Sequence, residues 1–150
     1  IMVLISHRGN IDGRNPEFEN TQDYIDDAIE ADYEVEIDVW SKDGNLWLGH
    51  DMPQRRVEYD WLLARRAWLW IHCKNFKALA GLIPSPLVLF YHSKEDYTLL
   101  SNGMVWAHNI HEIDHNCVIP LLDADAVIKW KESPQVVGGV CSDYISLLDD

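Results

Sequence analysis

The sequence predicts an α/β fold built on parallel strands, a small (β/α) barrel with about seven strands and reduced helices. Three observations carry that expectation. Short β-rich apolar runs recur along the chain, helical or polar stretches separate them, and no linker or internal repeat interrupts the series. Alternation of this kind builds parallel sheets, because each parallel strand needs a crossover back to the starting edge.

The runs at 2–6, 33–40, 68–73, 87–91, 104–107, 117–121 and 136–141 read as strands. Between the first two lies an amphipathic helix. Asn20 stands where a cap is needed, Asp23 puts an acid in the first turn, and Tyr24, Ile25, Ala28 and Ile29 form the apolar stripe. Further helices are expected over 60–67, 76–82 and 123–131. A complete eight-stranded barrel takes ~250 residues. A chain of 150 residues therefore predicts one domain, a truncated TIM-like barrel in which several crossovers lack helices. A flavodoxin-like open sheet is the competing arrangement.

With 12 basic against 25 acidic residues, the formal charge is −13, spread along the chain. Its far field repels phosphate, which disfavours nucleic acid and anionic membranes as partners. An anionic substrate then requires a bound cation and basic residues that reverse the field locally. Cys73, Cys117 and Cys141 lack C-x-x-C spacing, so neither a disulfide framework nor a thiolate zinc site is expected. A reducing, cytoplasmic setting follows, and no apolar run has the length of a membrane span or a signal-peptide core.

The second strand carries the most chemical information. Period-2 alternation puts Glu34, Glu36 and Asp38 on one face and Val35, Ile37 and Val39 on the other. Carboxylates pointing into a barrel interior repel one another and lose hydration, and a divalent cation removes that cost. An edge strand with its acids in water is the alternative on this strand alone. Ser6-His7-Arg8-Gly9 ends the first strand, and Gly49-His50-Asp51 follows a short run at 45–48. Parallel strands share one carboxyl rim, which brings His7, Asp38 and His50 together. Two imidazoles across a metal-bound phosphate can divide proton removal and proton donation, while Arg8 contacts phosphate oxygens.

His7-Arg8-Gly9, Glu19-Asn20-Thr21, Glu36-x-Asp38, Asp43-Gly44 and His50-Asp51 together resemble the glycerophosphodiester phosphodiesterase family in order and spacing. The likeness is dense over residues 1–51 and thinner afterwards, where Lys74 looks like the family's strand-end lysine and 138–144 like its last strand and closing Asp. It implies a (β/α) barrel, a divalent metal (Mg²⁺ or Ca²⁺) on Glu36 and Asp38, His7 and His50 as acid/base pair, and Arg8 and Lys74 on the substrate phosphate. Sphingomyelinase D-like toxins share the His-Arg-Gly start and the His-Asp arrangement, which brings lipid headgroups within the implied chemistry.

The chain departs from the family pattern twice. His72 stands where the family has a third acidic ligand; either a ligating imidazole tilts preference toward Mn²⁺ or Zn²⁺, or the third ligand is lost and the metal is held weakly. The family's insertion after His-Asp is missing, which predicts a shallow, open pocket and a homodimer whose partner supplies cover. The expected substrate is a small phosphodiester. Two competing readings are a degenerate barrel that binds phosphorylated ligands without turnover and a zinc peptidase using His111-Glu112-Ile113-Asp114-His115. The second requires both histidines on one face of a substantial helix.

Overall fold

The computed structural model describes residues 2–149. β1 (Val3–His7) leads through α1 (Gln22–Glu30) to the long β2 (Glu34–Lys42). A hairpin of β3 (Asn45–Leu48) and β4 (Arg55–Val57) follows, then α2 (Tyr59–Ala64) and β5 (Leu69–Cys73). The chain continues as α3 (Phe76–Leu82), β6 (Val88–Phe90), β7 (Tyr97–Leu99), β8 (Val105–Ala107), β9 (Cys117–Pro120), α4 (Ala124–Glu132) and β10 (Gly139–Ser142), with a 3-10 turn at Ile145–Leu148.

All ten strands belong to one sheet. Seven of them run parallel in the order β6-β5-β2-β1-β10-β9-β8. These are the seven expected from the sequence. The crossover after β6 reaches the far edge and β10 returns to lie beside β1, which is not the strand order of a doubly wound open sheet. The sequence reading missed β4 and β7, which pair antiparallel outside the parallel run. Polar Arg55-Arg56 and a three-residue run at 97–99 give little periodicity to read.

Strand pairing does not close the sheet; β6 and β7 share no ladder. Ser101 bridges the gap instead. Its backbone N–H donates to the Leu89 carbonyl at 2.9 Å. Its Oγ accepts from the Leu89 N–H at 2.8 Å and donates to the Leu87 carbonyl at 3.2 Å. Leu89 is buried, so Ser101→Ala leaves its N–H without this partner. The expected loss is about 1–3 kcal/mol, read as a lower urea midpoint at unchanged slope; an unchanged midpoint would refute the bridging role.

Period-2 alternation sorts the side chains into layers. Val35, Ile37 and Val39 pack with Ile71 and Leu89 against Ile25, Ala28, Leu62, Ala78 and Leu82 from the first three helices. Val127 of α4 covers Ile119 and Val140 in the same way. The opposite face buries Ile5, Trp70, Phe90, Leu100, Trp106, Val118 and Cys141 together. Residues from both ends of the parallel run meet there, so the sheet is strongly curled, and the rings of Phe90 and Trp106 stack at 4.6 Å.

Several local expectations need correction. Thr21, not Asn20, caps α1, its hydroxyl accepting from the Tyr24 N–H at 3.3 Å. Trp70 lies in the inner cluster with its indole N–H on Glu34, and Trp68 is exposed. Arg65, just past α2, is held by two partners. Its guanidinium pairs with both Asp26 oxygens at 2.6 and 3.0 Å while lying 4.0 Å from the Trp61 ring centroid. Residues 109–116 hold turns and no helix, which removes the geometry a zinc peptidase needs. All three cysteines are free and buried, and among the described residues no helix is long and apolar enough to cross a membrane.

Candidate metal centre and active site

The site begins where β1 stops. β1 pairs with β2 only as far as His7↔Glu36, and beyond Val39 the hairpin strand β3 runs beside β2. The chain turns away from the sheet through two residues of positive φ, Arg8 at 61° and Gly9 at 98°. A Cβ on Gly9 would stand 2.5 Å from the Tyr24 ring, so this turn requires glycine. The Arg8 N–H donates to the Glu36 carbonyl at 2.8 Å, and the Asn20 N–H donates to the Arg8 carbonyl at 3.1 Å.

Asn20 is held at φ 59°, a conformation that asparagine tolerates better than most residues. Its amide therefore faces β2. Asn20 Nδ2 donates to Asp38 Oδ2 and Asn20 Oδ1 accepts from the Asp38 N–H, each at 3.0 Å. What resembled a helix cap is a clamp on one carboxylate.

Glu36 and Asp38 project from β2 at 3% and 1% exposure, which rules out a water-facing edge strand. The neighbouring strand supplies His72, whose Nδ1 lies 3.2 Å from Asp38 Oδ1 and 3.9 Å from Glu36 Oε2. Burial, and then Asp38, push the Glu36 carboxyl well above its ordinary range. Burial also pushes Asp38 upward, but His72, the Asn20 amide and Arg8 outweigh it and hold that carboxyl low. Glu36 Oε1 and Asp38 Oδ1 are buried without a hydrogen-bond partner. Buried carboxylate oxygens are ordinarily satisfied, and two orphans beside an imidazole nitrogen fit a missing cation. Glu36, Asp38 and His72 each offer a ligand atom within 4.8 Å of the others, so a buried group here can hold a metal ion.

Around this triad the chain arranges proton carriers and positive charge. His7 Nδ1 pairs with Asp143 Oδ1 at 2.7 Å, which leaves Nε2 at 3.7 Å from Glu36 Oε1. Asp143 also accepts from Asn10 Nδ2 at 2.9 Å, and the Tyr24 hydroxyl holds Asn10 in turn. With Asp143 taking the Nδ1 proton, the His7 lone pair sits on Nε2. His50 is looser, 42% exposed with Nδ1 at 2.8 Å from the exposed Asp51. Burial and then the Arg8 charge lower its pKa from the ordinary 6.5, so this imidazole is neutral at pH 7. Arg8 is anchored through Nη1 to Glu19 at 3.2 Å, and its buried Nε lies 3.4 Å from Asp38 Oδ2 without an aligned hydrogen bond.

Two clefts meet at these residues. The inner one, about 130 Å³, is lined by His7, Arg8, Glu36, Asp38, His50 and His72, with Phe90 and Trp106 among its other walls. The outer one, about 650 Å³, shares His7, Arg8 and His50 and adds Arg14, Gln54 and Asp123. Lys74, at the end of β5, is near enough for its charge to act on Glu36 and His50.

Sequence reasoning missed Asp143 as the partner of His7 and Glu19 as the anchor of Arg8, although both stood within motifs already singled out. It also missed His92, which lines the inner cleft with His108. Their rings stack at 3.6 Å. The available signal was position, since His92 and His108 each follow the end of a parallel strand. Tyr91, by contrast, faces away from the site, along a groove beside α3 and β7. No protein-family model, curated protein or solved structure matches the chain.

Proposed function

We propose that the chain is a metal-dependent phosphodiesterase of the glycerophosphodiester phosphodiesterase type, on a reduced (β/α) barrel whose seam between β6 and β7 carries no ladder. One observation carries the reading. Two buried, unpartnered carboxylate oxygens converge with His72 on a cleft that also holds His7, His50 and Arg8. A solvated acidic cluster does not bury its oxygens, and a purely structural ion does not need two further histidines and an arginine beside it.

Glu36, Asp38 and His72 hold the cation; the imidazole among them favours Mn²⁺ or Zn²⁺ over Ca²⁺ or Mg²⁺. The bound cation supplies charge stabilisation at a phosphoryl oxygen. Arg8 donates to a second oxygen, and the Lys74 charge adds to the field as negative charge develops. One imidazole accepts the proton of the attacking hydroxyl as the new P–O bond forms. The other protonates the departing oxygen as the old P–O bond breaks. His7, tied to Asp143 and with its lone pair on Nε2, is in the correct tautomer to accept.

The test is release of alcohol from a panel of glycerophosphodiesters and lysophospholipids, followed by phosphorus NMR with Mg²⁺, Ca²⁺, Mn²⁺ and Zn²⁺ in turn. Metal-dependent cleavage lost on His7→Ala and on His50→Ala supports the enzyme. A second reading, binding of phosphorylated ligands without turnover, is favoured by the open outer cleft and the loosely held His50. Saturable binding with no cleavage under any metal decides for it.

A further inference from the structure

A ligand histidine is ordinarily oriented by a hydrogen bond from its second ring nitrogen to a carboxylate, carbonyl or water. Among the described residues His72 makes no aligned hydrogen bond to protein, and its Nδ1 merely approaches Asp38 and Glu36. Stacked rings surround it instead. The His72 imidazole lies on Phe90 at 4.9 Å between centroids and 14° between planes. Phe90 in turn lies on Trp106 at 4.6 Å and 14°. Three adjacent rings from β5, β6 and β8 thus form one continuous stack across the curled sheet. Phe90 and Trp106 are 3% and 4% exposed, so the packed interior fixes their planes.

We propose that Phe90 and Trp106 are positioning residues for the third metal ligand, holding the His72 ring with Nδ1 toward Glu36 and Asp38 by stacking in place of a hydrogen bond. The proposal rests on the metal reading of the same centre. The shared plane of the stack leaves the His72 ring little freedom to rotate about its Cβ–Cγ bond, because any rotation drives an edge into the Phe90 face. Without that face the ring samples orientations that turn Nδ1 away from the carboxylates, and each lowers the fraction of protein ready to bind metal. Trp106 acts one ring further back, by keeping Phe90 from tilting.

The experiment is metal titration of the full chain with Zn²⁺ and Mn²⁺ by calorimetry, for wild type, Phe90→Leu, Phe90→Tyr and Trp106→Leu. Phe90→Leu keeps apolar volume but removes the flat face; its affinity falls about tenfold, the lower end for loss of a ligand's supporting partner. Phe90→Tyr restores binding, and Trp106→Leu gives a smaller loss. The same Phe90→Leu change in a His72→Glu background, where the third ligand is a carboxylate that does not stack, costs no further affinity. Proton NMR of the metal-free proteins supplies a second readout. The His72 ring protons lie upfield under the Phe90 ring current in wild type and move downfield in Phe90→Leu.

An equal loss from Phe90→Leu in the wild-type and His72→Glu backgrounds overturns the proposal, since damage would then be general to the barrel interior. Undiminished affinity in Phe90→Leu overturns it as well. If wild type takes up neither metal, the centre itself fails and the stack's role with it. That outcome differs from intact wild-type binding that ignores residue 90.

Discussion

Metal at about a thousand times its Kd will stabilise the wild-type chain by about 4 kcal/mol, a rise in melting temperature of about 10 °C for a domain of this size. The Asp38→Asn protein will show neither the rise nor any saturable uptake. Asp38 brings the ligand oxygen nearest His72 and is held in place by the Asn20 clamp, so its loss removes one ligand and misplaces a second.

The size of the shift depends on pH, and its sign follows from Glu36. Burial and Asp38 raise that carboxyl above its ordinary 4.5. A group whose folded pKa is raised contributes stability below its unfolded value, and that stability is lost as pH rises through the folded one. Metal-free protein therefore loses this contribution progressively as pH rises from about 4.5 through the raised folded pKa, beyond which Glu36 is ionised in a buried site. A cation takes the proton's place. The metal-induced shift is accordingly larger at pH 8 than at pH 5. A shift that is flat with pH, or that survives Asp38→Asn, places the ion elsewhere.

His7 carries the second large effect. His7→Asn is expected to lower turnover by about 10²–10⁴-fold, the range for loss of a positioned acid or base, while the metal-dependent rise in melting temperature persists. Asp143→Asn is the more informative companion. It keeps the shape of the Asn10–Asp143–His7 contacts, but an amide can present an N–H to Nδ1 and so favour the wrong tautomer, with the proton on Nε2. Turnover should then fall with little change in stability. Full activity in Asp143→Asn refutes the orienting role, and full activity in His7→Asn refutes the proposed chemistry.

Asp143 also marks where sequence reading stops. The seven parallel strands were readable because each lies within a short apolar run bounded by polar or helical stretches. All four helices were expected from the sequence, with Asp123 capping α4 from the predicted start. The face shared by Glu36 and Asp38 was equally plain, since alternation along a strand is a local property of the backbone. Asn20 shows the limit of such local reasoning. It lies one residue before the true cap, and only its left-handed backbone turns its amide toward β2 rather than α1.

The sequence by itself determined the strand series, the paired carboxylates on one face and the rim positions of His7 and His50, because all of these follow from periodicity and chain order. Tertiary structure decided that His72 stands beside those carboxylates, that Asp143 holds His7, and that Ser101 rather than a ladder spans the open seam. The reason is physical. These outcomes depend on register between strands distant in sequence, with 136 positions separating His7 from Asp143, and register is set by the packing of the whole sheet rather than by any local run of residues.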